Sequence, residues 1–407
     1  MREGYKKTVL GEIPEEWEVA KFGDVVNNFD SKRIPLKSED RANKKGIYPY
    51  YGAQGIIDFV DDFIFEGIYL LIAEDGENVK SRKNDIAFIA DGKFWLNNHA
   101  HIVRSNGKSD ILFLKYLLNH ISIKEYVTGQ AQPKLNKSSL EVIKLSLPSL
   151  TEQQKIANIL STVDQKIENI EQQISETTQL KKGLMQKLLT KGIGHTKFKD
   201  SPLGEIPESW EVVKLGSVAE IIDPHPSHRA PKEEANGFPF VGIGDINEAG
   251  DIDLSKVRKV SETDVLKQKE TFVLQDYDMG FGRVASIGKI VWFKKKEYPY
   301  GISPTMALVR VIGIDPIFLN QFLKSQLTSE QFRLLSVGST RTSIGMMSLR
   351  TLLVCIPNST EQQKIATILT TVDNKLEVLQ EKKTEYQQLK KGLMQQLLTG
   401  KIRTKKN

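Results

Sequence analysis

Two histidine pairs and two glycine-rich segments are the parts of this sequence whose residue types and spacing could support chemistry. His99 and His101 stand in HAH, and His225 and His228 stand in HPSH. No cysteine accompanies either pair to complete a zinc site. We therefore interpret these histidines as surface or structural residues and predict no metal site.

The glycine-rich segments 242–244 (GIG) and 280–282 (GFG) lack the spacing of a dinucleotide-binding turn, and no GxxxxGK[ST] phosphate loop is present. The sequence therefore gives no reason to propose an active site. We predict a chain that is not an enzyme on its own and that carries no cofactor.

The charge distribution limits where a nucleic-acid surface could lie. The net charge is +6 and the pI is about 9.0, yet residues 24–150 and 217–359 each hold 17 basic and 16 acidic residues. Residues 360–407 hold 10 basic and 5 acidic residues, and we expect their last few to be a solvated, frayed tail. A nucleic-acid surface must therefore come from local clusters of charge.

Candidate nucleic-acid contacts are polar and basic residues in loops, because loops reach groove edges while Lys and Arg neutralise phosphates. The segment GQAQPKLNK of the first half aligns, 209 residues later, with GSTRTSIGM of the second half, so the same loop carries different polar residues. The full set of DNA-binding candidates is Lys80, Arg82, Lys83, Gln130, Gln132, Lys134, Asn136, Arg283, Lys294, Lys295, Ser339, Thr340, Arg341 and Thr342.

A duplicated framework must position these loops. Residues 151–190 recur at 360–399 with 26 of 40 positions identical, and residues 10–25 recur at 203–218 with 12 of 16 identical. The offset grows from 193 to 209 residues between the two motifs, so the second variable segment is longer. Two related frames therefore carry two different inserts, which suits two separate specificities.

The longer repeat is predicted to be a helix in each copy. Apolar residues from Ile156 and from Ile365 onward alternate at spacings of 4 and 3, which is typical of a coiled-coil seam. Thr151 and Thr360 are expected to cap the two helices, and Gly183 and Gly392 suggest a kink or close packing. Forty helical residues span about 60 Å, enough for a rigid spacer.

Identical polar residues in both copies indicate that each helix binds the same partner, so that the chain binds two copies of it. The alternative is that both are simply helices of a larger bundle. The predicted partner-binding residues are Glu152, Gln153, Lys155, Lys181, Lys182, Glu361, Gln362, Lys364, Lys390 and Lys391.

The variable segments contain short apolar and aromatic runs between turn residues, with helices near 111–127 and 316–334, which predicts an α+β fold for each. The expected boundaries are a first domain at 1–150, a helix and linker at 151–202, a second domain at 203–359 and a helix with a basic tail at 360–407. One cysteine and the absence of an apolar signal core predict a cytoplasmic protein.

Together, LGEIPxxWE at residues 10 and 203, TEQQKIA at 151 and 360, and LKKGLMQ at 180 and 389 resemble the specificity subunit of type I restriction-modification systems. The resemblance covers the whole chain. It implies two target-recognition domains joined by an antiparallel helical pair, each reading one half of a split site in double-stranded DNA, and no catalytic residues.

The resemblance also implies partners. Two methyltransferase subunits would dock on the helices and use S-adenosylmethionine to methylate adenine, and motor-nuclease subunits would add cleavage that depends on ATP and Mg. Two alternatives are the recognition half of a fused restriction-methylation enzyme, whose Asn-Pro-Pro-Tyr-type motif is absent here, and a coiled-coil scaffold that binds only protein.

Overall fold

The chain divides into two compact units that share both repeated helices. The structure, a computed structural model, describes residues 2–225, 230–247, 250–253, 256–284, 286–293, 300–335 and 343–404. The first unit combines Met1–Gln172 with Gln380–Asn407, and the second unit is Gln173–Leu379. Each unit therefore contains one variable segment and a part of each long helix.

The strands of the first unit form two four-stranded sheets and two smaller ladders. In spatial order the larger sheets are Gly55–Val60, Lys45–Gly52, Lys93–Leu96 and Phe65–Glu66, and Val26–Asn28, Ala100–Ser105, Tyr69–Ala73 and Ala87–Ala90. The ladders are Tyr5–Thr8 with Gly11–Pro14, and Lys144–Leu147 with Glu18–Lys21.

The described strands of the second unit repeat most of this plan. Its sheets are, in spatial order, Ala219–Ile222, Met306–Val311, Met279–Gly282 and Ile290–Trp292, and Lys259–Val260, Phe238–Val241 and Gly301–Ile302. Its ladders are Phe198–Lys199 with Ile206–Pro207, and Glu211–Lys214 with Leu353–Ile356. Mixed sheets and helices confirm the predicted α+β class.

One well-capped helix packs on the sheets of each unit. The Asp110 carboxylate accepts a hydrogen bond from the Phe113 amide at 2.8 Å, and Asp315 accepts one from Phe318 at 2.8 Å. The helices of the first variable segment are Ser38–Asn43, Glu77–Ser81, Ile111–His120 and Lys137–Glu141, with 3₁₀ turns at Phe22–Asp24, Asp30–Lys32 and Lys124–Tyr126. Those described in the second are Leu215–Val218, Glu262–Thr271, Pro316–Leu323, Gln326–Leu335 and Met346–Arg350, with a 3₁₀ turn at Ile243–Asp245.

The repeated helices are the central helix, Leu150–Leu188, and the terminal helix, Ser359–Leu397. Both start earlier than predicted, because Ser149 Oγ and Asn358 Oδ1 accept the first amide hydrogen bonds. The expected caps Thr151 and Thr360 therefore lie inside the first turn.

Apolar residues near the two ends of each long helix are buried in the cores of the two units. Ile156 and Leu160 of the central helix and Leu397 of the terminal helix belong to the core of the first unit. Ile365 of the terminal helix and Leu188 of the central helix belong to the core of the second unit. The long helices are thus structural parts of both domains.

Gly183 and Gly392 do not mark close packing within the described chain. Both helices run through these positions without interruption, and a Cβ atom added at either glycine would meet no atom within 4 Å. The expectation of a close contact there is wrong for this chain by itself. We find no helix in the described part of the chain that is long and apolar enough to cross a membrane.

Candidate nucleic-acid interface and helix pair

Residues 128–136, the glutamine loop, project from the first unit on a closed stem. Thr128 and Lys134 exchange backbone hydrogen bonds of 2.9 and 2.8 Å. Gly129 has a φ of +82°, and a Cβ there would lie 2.4 Å from the Gln132 carbonyl oxygen, so the tip requires glycine. Gln130 and Gln132 are exposed on the tip, and their amides offer the donor and acceptor needed to read a base edge.

The other two candidates of this loop have structural partners. Lys134 Nζ lies 3.1 Å from Glu74 Oε1, although half of the lysine side chain is exposed. Asn136 caps the helix Lys137–Glu141 by accepting a hydrogen bond from the Ser139 amide at 2.9 Å. Lys134 remains available to a phosphate, whereas Asn136 is committed to the helix end.

The basic cluster around Arg82 is divided between the fold and the surface. Arg82 has a φ of +54°, and its guanidinium donates a hydrogen bond of 2.7 Å to the Leu118 carbonyl oxygen. Burial lowers the pKa of this group. Arg82, which was predicted to contact DNA, is therefore held by the backbone of its own unit. Lys80 and Lys83 are exposed.

Of the second-unit candidates, only Arg283 lies within the described residues; Lys294, Lys295, Ser339, Thr340, Arg341 and Thr342 lie outside them. Arg283 is 9% exposed, and its Nε donates a hydrogen bond of 3.0 Å to the Ile344 carbonyl oxygen. This arginine was predicted to reach DNA, and that prediction is wrong because its side chain is buried within its own unit.

The frame around the two loops is the same in both units. The short helices Lys137–Glu141 and Met346–Arg350 and the strands Lys144–Leu147 and Leu353–Ile356 are each 209 residues apart. Isolated bridges join Asp75 to Lys134 in the first unit and Val284 to Ser343 in the second. Lys134 and Ser343 therefore have equivalent positions in equivalent frames.

The TEQQ motif at the start of each long helix fastens that helix to its own unit. Glu152 Oε2 accepts a hydrogen bond from Trp17 Nε1 at 3.3 Å, and its carboxylate is paired with Arg403 at 2.7 Å. In the second unit Glu361 accepts one from Trp210 Nε1 at 3.0 Å. His195 Nε2 lies 2.9 Å from Glu361 and takes the place of the arginine.

The next residue of the motif repeats this anchoring. Gln153 Oε1 accepts a hydrogen bond from the Asp110 amide at 2.8 Å, and Gln362 Oε1 accepts one from the Asp315 amide at 2.8 Å. These four motif residues are buried, with exposures of 1–7% (Glu152, Gln153, Glu361 and Gln362). These four residues were predicted to bind a partner because they are identical in both copies. That prediction is wrong, because their side chains are buried and hydrogen-bonded inside their own units.

A carboxylate in the middle of each long helix joins the helix pair to the neighbouring domain helix. Asp164 lies 2.7 Å from Lys390 Nζ and accepts a hydrogen bond of 2.7 Å from the Tyr116 hydroxyl. Burial would raise the pKa of Asp164, but the hydrogen bonds from Lys390 and Tyr116 outweigh burial and hold it below its usual value. Burial and the Asp164 carboxylate together raise the pKa of Tyr116.

The second unit contains the equivalent contact 209 residues later along the helix. Asp373 lies 2.6 Å from Lys181 Nζ and accepts a hydrogen bond of 2.7 Å from the Gln321 side chain. The first unit contains a further pair between Lys383 and Glu171 at 2.8 Å. In the first unit Asp164 pairs with Lys390 and Glu171 pairs with Lys383, so residue numbers decrease along the terminal helix as they increase along the central helix. The two long helices therefore run antiparallel within this unit.

Lys181 and Lys390, predicted to bind a partner, thus form ion pairs inside their own units. Other positions that are identical in both copies stay on the surface, among them Lys182 and Lys391, Gly183 and Gly392, Leu180 and Leu389, Gln154 and Gln363, and Ile159 and Ile368. Two further residues predicted to bind the partner differ in exposure: Lys155 is half-buried and Lys364 is exposed. Leu180 is 53% exposed and Leu389 49%, so each copy presents the same apolar residue to solvent.

The basic tail is also partly structural. Arg403 pairs with the carboxylates of Glu152 and Glu16, and both hydrogen bonds raise its pKa against the effect of burial. The expectation of a frayed end is therefore wrong at Arg403. Trp17 and Asp110 in the first unit, and Trp210 and Asp315 in the second, hydrogen-bond the starts of the long helices. They were not predicted from the sequence to do so, although the same residue types occur in both units.

The histidines have separate structural settings. His99 is exposed and lies 2.8 Å from Asp75, whereas His101 is fully buried. Burial lowers the pKa of the half-buried His225, and His228 lies outside the described residues. Among the residues that the structure describes, no group of three or more His, Cys, Asp or Glu side chains could hold a metal ion.

Comparison with known proteins gives consistent matches. The family model described as the type I restriction modification DNA specificity domain matches residues 14–179 and 207–388. The MjaVIII specificity subunit of a type I restriction enzyme from Methanocaldococcus jannaschii is 29% identical over 99% of this chain and 97% of its own length.

Two solved structures share the fold. One is the S subunit of a type I restriction-modification system from M. genitalium, with a TM-score of 0.62, 16% identity, and coverage of 96% of this chain and 97% of that chain. The other is from a study of complex assembly in the type I system, with a TM-score of 0.53, 16% identity, and coverage of 96% and 99%.

Proposed function

The chain belongs to the type I restriction-modification DNA specificity family, and from this premise we propose how it recognises DNA and its partners. Each unit reads one half of a bipartite site in double-stranded DNA, and the first unit does so through the glutamine loop. The long helices set the distance between the halves. They also carry the surfaces on which two methyltransferase subunits dock.

The observation that carries this proposal is that equivalent frames in the two units hold loops with different polar residues. The stem bridges at Lys134 and Ser343 are equivalent, while the polar residues of the two loops differ. A rigid frame with a variable tip is what two half-sites of different sequence require. Nearly neutral domains fit this arrangement, because reading bases needs hydrogen bonds, whereas phosphate contacts set the affinity.

Replacing both tip glutamines tests the reading of the first half-site. A well-placed glutamine that bonds adenine discriminates by about 1–3 kcal/mol, so Gln130→Ala with Gln132→Ala should relax the first half-site about tenfold or more. Methylome sequencing in cells that also express the methyltransferase measures this. Gln173→Ala, at an exposed glutamine of the central helix that is not repeated in the terminal helix, is the matched control. A change in both half-sites, or in neither, would contradict the proposal.

The docking proposal rests on surface residues that the fold itself does not require. Leu180, Lys182 and Gly183 are exposed and recur at 389, 391 and 392. Glycine inside an exposed helix costs about 1 kcal/mol relative to alanine, and neither glycine is needed for packing within this chain. A partner backbone that approaches closely would explain both the glycine and the exposed leucine.

Stoichiometry tests the docking surfaces one at a time. Leu180→Glu and Leu389→Glu should each reduce the bound methyltransferase from two copies to one, and the double variant should bind none, as measured by native mass spectrometry. Val378→Glu is the control, since Val378 is 46% exposed but is not repeated in the central helix. Two bound copies in the double variant would refute these surfaces.

The methyl donor S-adenosylmethionine, and the ATP and Mg of the cleavage reaction, belong in this proposal to the partner subunits. The purified chain alone should therefore transfer no methyl groups to DNA, measured with a radiolabelled donor. Activity that persists after partner removal would contradict this. Because its substrate is chromosomal or invading DNA, we place the complex in the cytoplasm.

A further inference from the structure

A buried histidine holds the stem of the glutamine loop in the first unit. His101 is fully buried, with Nδ1 2.6 Å from Asp30 Oδ2 and Nε2 2.7 Å from the Leu135 carbonyl oxygen. Both neighbours are acceptors, and only the doubly protonated imidazolium offers two N–H donors. Leu135 directly follows the stem residue Lys134, so the cation is tied to the loop itself.

The second unit has no histidine at this place. The strand position equivalent to His101 is Ala307, since His101 lies opposite Ile72 and Ala307 lies opposite Phe281 in matching antiparallel pairs. An alanine side chain cannot donate a hydrogen bond. The carbonyl oxygen equivalent to that of Leu135 must therefore be held by another residue.

In the second unit the equivalent carbonyl oxygen is held by Arg283, which follows a different strand, Met279–Gly282. Its Nε donates a hydrogen bond of 3.0 Å to the Ile344 carbonyl oxygen, and its Nη1 lies 3.6 Å from Asp223. Ile344 lies 209 residues after Leu135, and Asp223 lies 193 residues after Asp30, which are the two offsets of the repeat. Arg283 thus hydrogen-bonds the equivalent carbonyl oxygen and forms a longer ion pair with the equivalent aspartate, to which Nη1 makes no hydrogen bond.

The backbone confirms that the two arrangements are equivalent. The Leu135 amide donates to the Glu74 carbonyl oxygen at 2.7 Å, and the Ile344 amide donates to the Arg283 carbonyl oxygen at 3.0 Å. Glu74 therefore stands where Arg283 stands in the second unit. The charge at this position is inverted between the units, and a donor to the loop must come from elsewhere in the first.

We infer that His101 and Arg283 are positioning residues with the same role in the two units. Each links an aspartate at an equivalent position of the repeat, Asp30 or Asp223, to a backbone carbonyl group at the end of the loop, Leu135 or Ile344. A buried charge is stable only when it is paired and hydrogen-bonded, so each cation holds the backbone at Leu135 or Ile344 in place before DNA arrives. The reading role of the loop rests on the proposed function, whereas the bridge does not.

The charged groups around His101 are Asp30, Glu74 at 3.8 Å, and Arg33 and Lys134, which both pair with Glu74. The bridge of the first unit therefore belongs to a network of ion pairs within that unit.

Hydrogen exchange of the full chain, measured by mass spectrometry, tests the inference. His101→Gln should speed exchange in peptides covering residues 128–136 about tenfold, and Arg283→Met should do the same for residues 343–347, each leaving the other unit unchanged. Arg283→Lys should retain part of the protection because it keeps a cationic donor. Lys108→Gln, at an exposed lysine of the first unit, is the control and should change neither.

Unchanged exchange in folded His101→Gln, or an equal loss of protection in both units, would overturn the inference. Faster exchange with unaltered half-site selection would support the bridge and instead refute the loop as the reader.

Discussion

Replacing Asp164 by asparagine should destabilise the first unit by about 1–2 kcal/mol, because it removes the charge that Lys390 and Tyr116 share. The aspartate is 28% exposed and the lysine 23%, so solvent screens the pair only partly. Asparagine can still accept the hydrogen bond from the tyrosine hydroxyl. The loss is therefore the ionic part of the contact and not the whole of it.

The pH dependence follows from the lowered pKa of Asp164. A carboxyl group whose folded pKa lies below its unfolded value stabilises the fold above the unfolded pKa of about 3.9, and that stabilisation is lost as the pH falls through the folded pKa. The difference between wild type and Asp164→Asn should be complete at pH 7 and should shrink below about pH 4.

Urea denaturation followed separately in each unit by hydrogen exchange measures this difference. A double-mutant cycle with Lys390→Met isolates the pairwise energy, and Lys391→Met, at the exposed neighbour, is the control. Asp373→Asn, which removes the ion pair with Lys181, should destabilise the second unit only. A destabilisation that stays constant from pH 7 to pH 3 would refute the ionic explanation.

Three further outcomes are expected. Gly183→Ala and Gly392→Ala should each raise the free energy of unfolding by up to about 1 kcal/mol and weaken methyltransferase binding in a titration; stronger binding would contradict a close partner contact. Deleting Ile167–Gln173 together with the facing Glu381–Gln387 should shorten the unread gap by about 10 Å, or about three base pairs, with both half-sites unchanged in methylome sequencing. Arg403→Met should lower the unfolding free energy of the first unit by about 2 kcal/mol in urea, because a buried carboxylate loses its cation; an unchanged value would show that water replaces the arginine.

The repeat pattern was sufficient to predict both helices and their seams. Spacings of 4 and 3 from Ile156 and from Ile365 place apolar residues on one face whatever that face meets, and the positions on this face are buried or half-buried. The starts were less accurate. Ser149 and Asn358 cap the helices because their side chains reach the Glu152 and Glu361 amides, and the equally suitable Thr151 and Thr360 are drawn into the first turn.

The candidate DNA residues differ in exposure for a physical reason. Exposed Gln130 and buried Arg283 belong to the same class of polar loop residue in the sequence. Whether such a side chain reaches solvent depends on which acceptors the fold brings to it, and for Arg283 the Ile344 carbonyl lies 61 residues away. Local sequence contains no information about that partner.

The sequence by itself determined the duplication, the α+β class, the family and the two unlike inserts, because these follow from letters that repeat at fixed offsets. Only the tertiary structure decided which repeated polar residues face inward. Glu152 meets Trp17 across 135 residues and Glu361 meets Trp210 across 151. A glutamate repeated for burial and a lysine repeated on the surface look alike in a sequence, because burial is a property of three-dimensional neighbours.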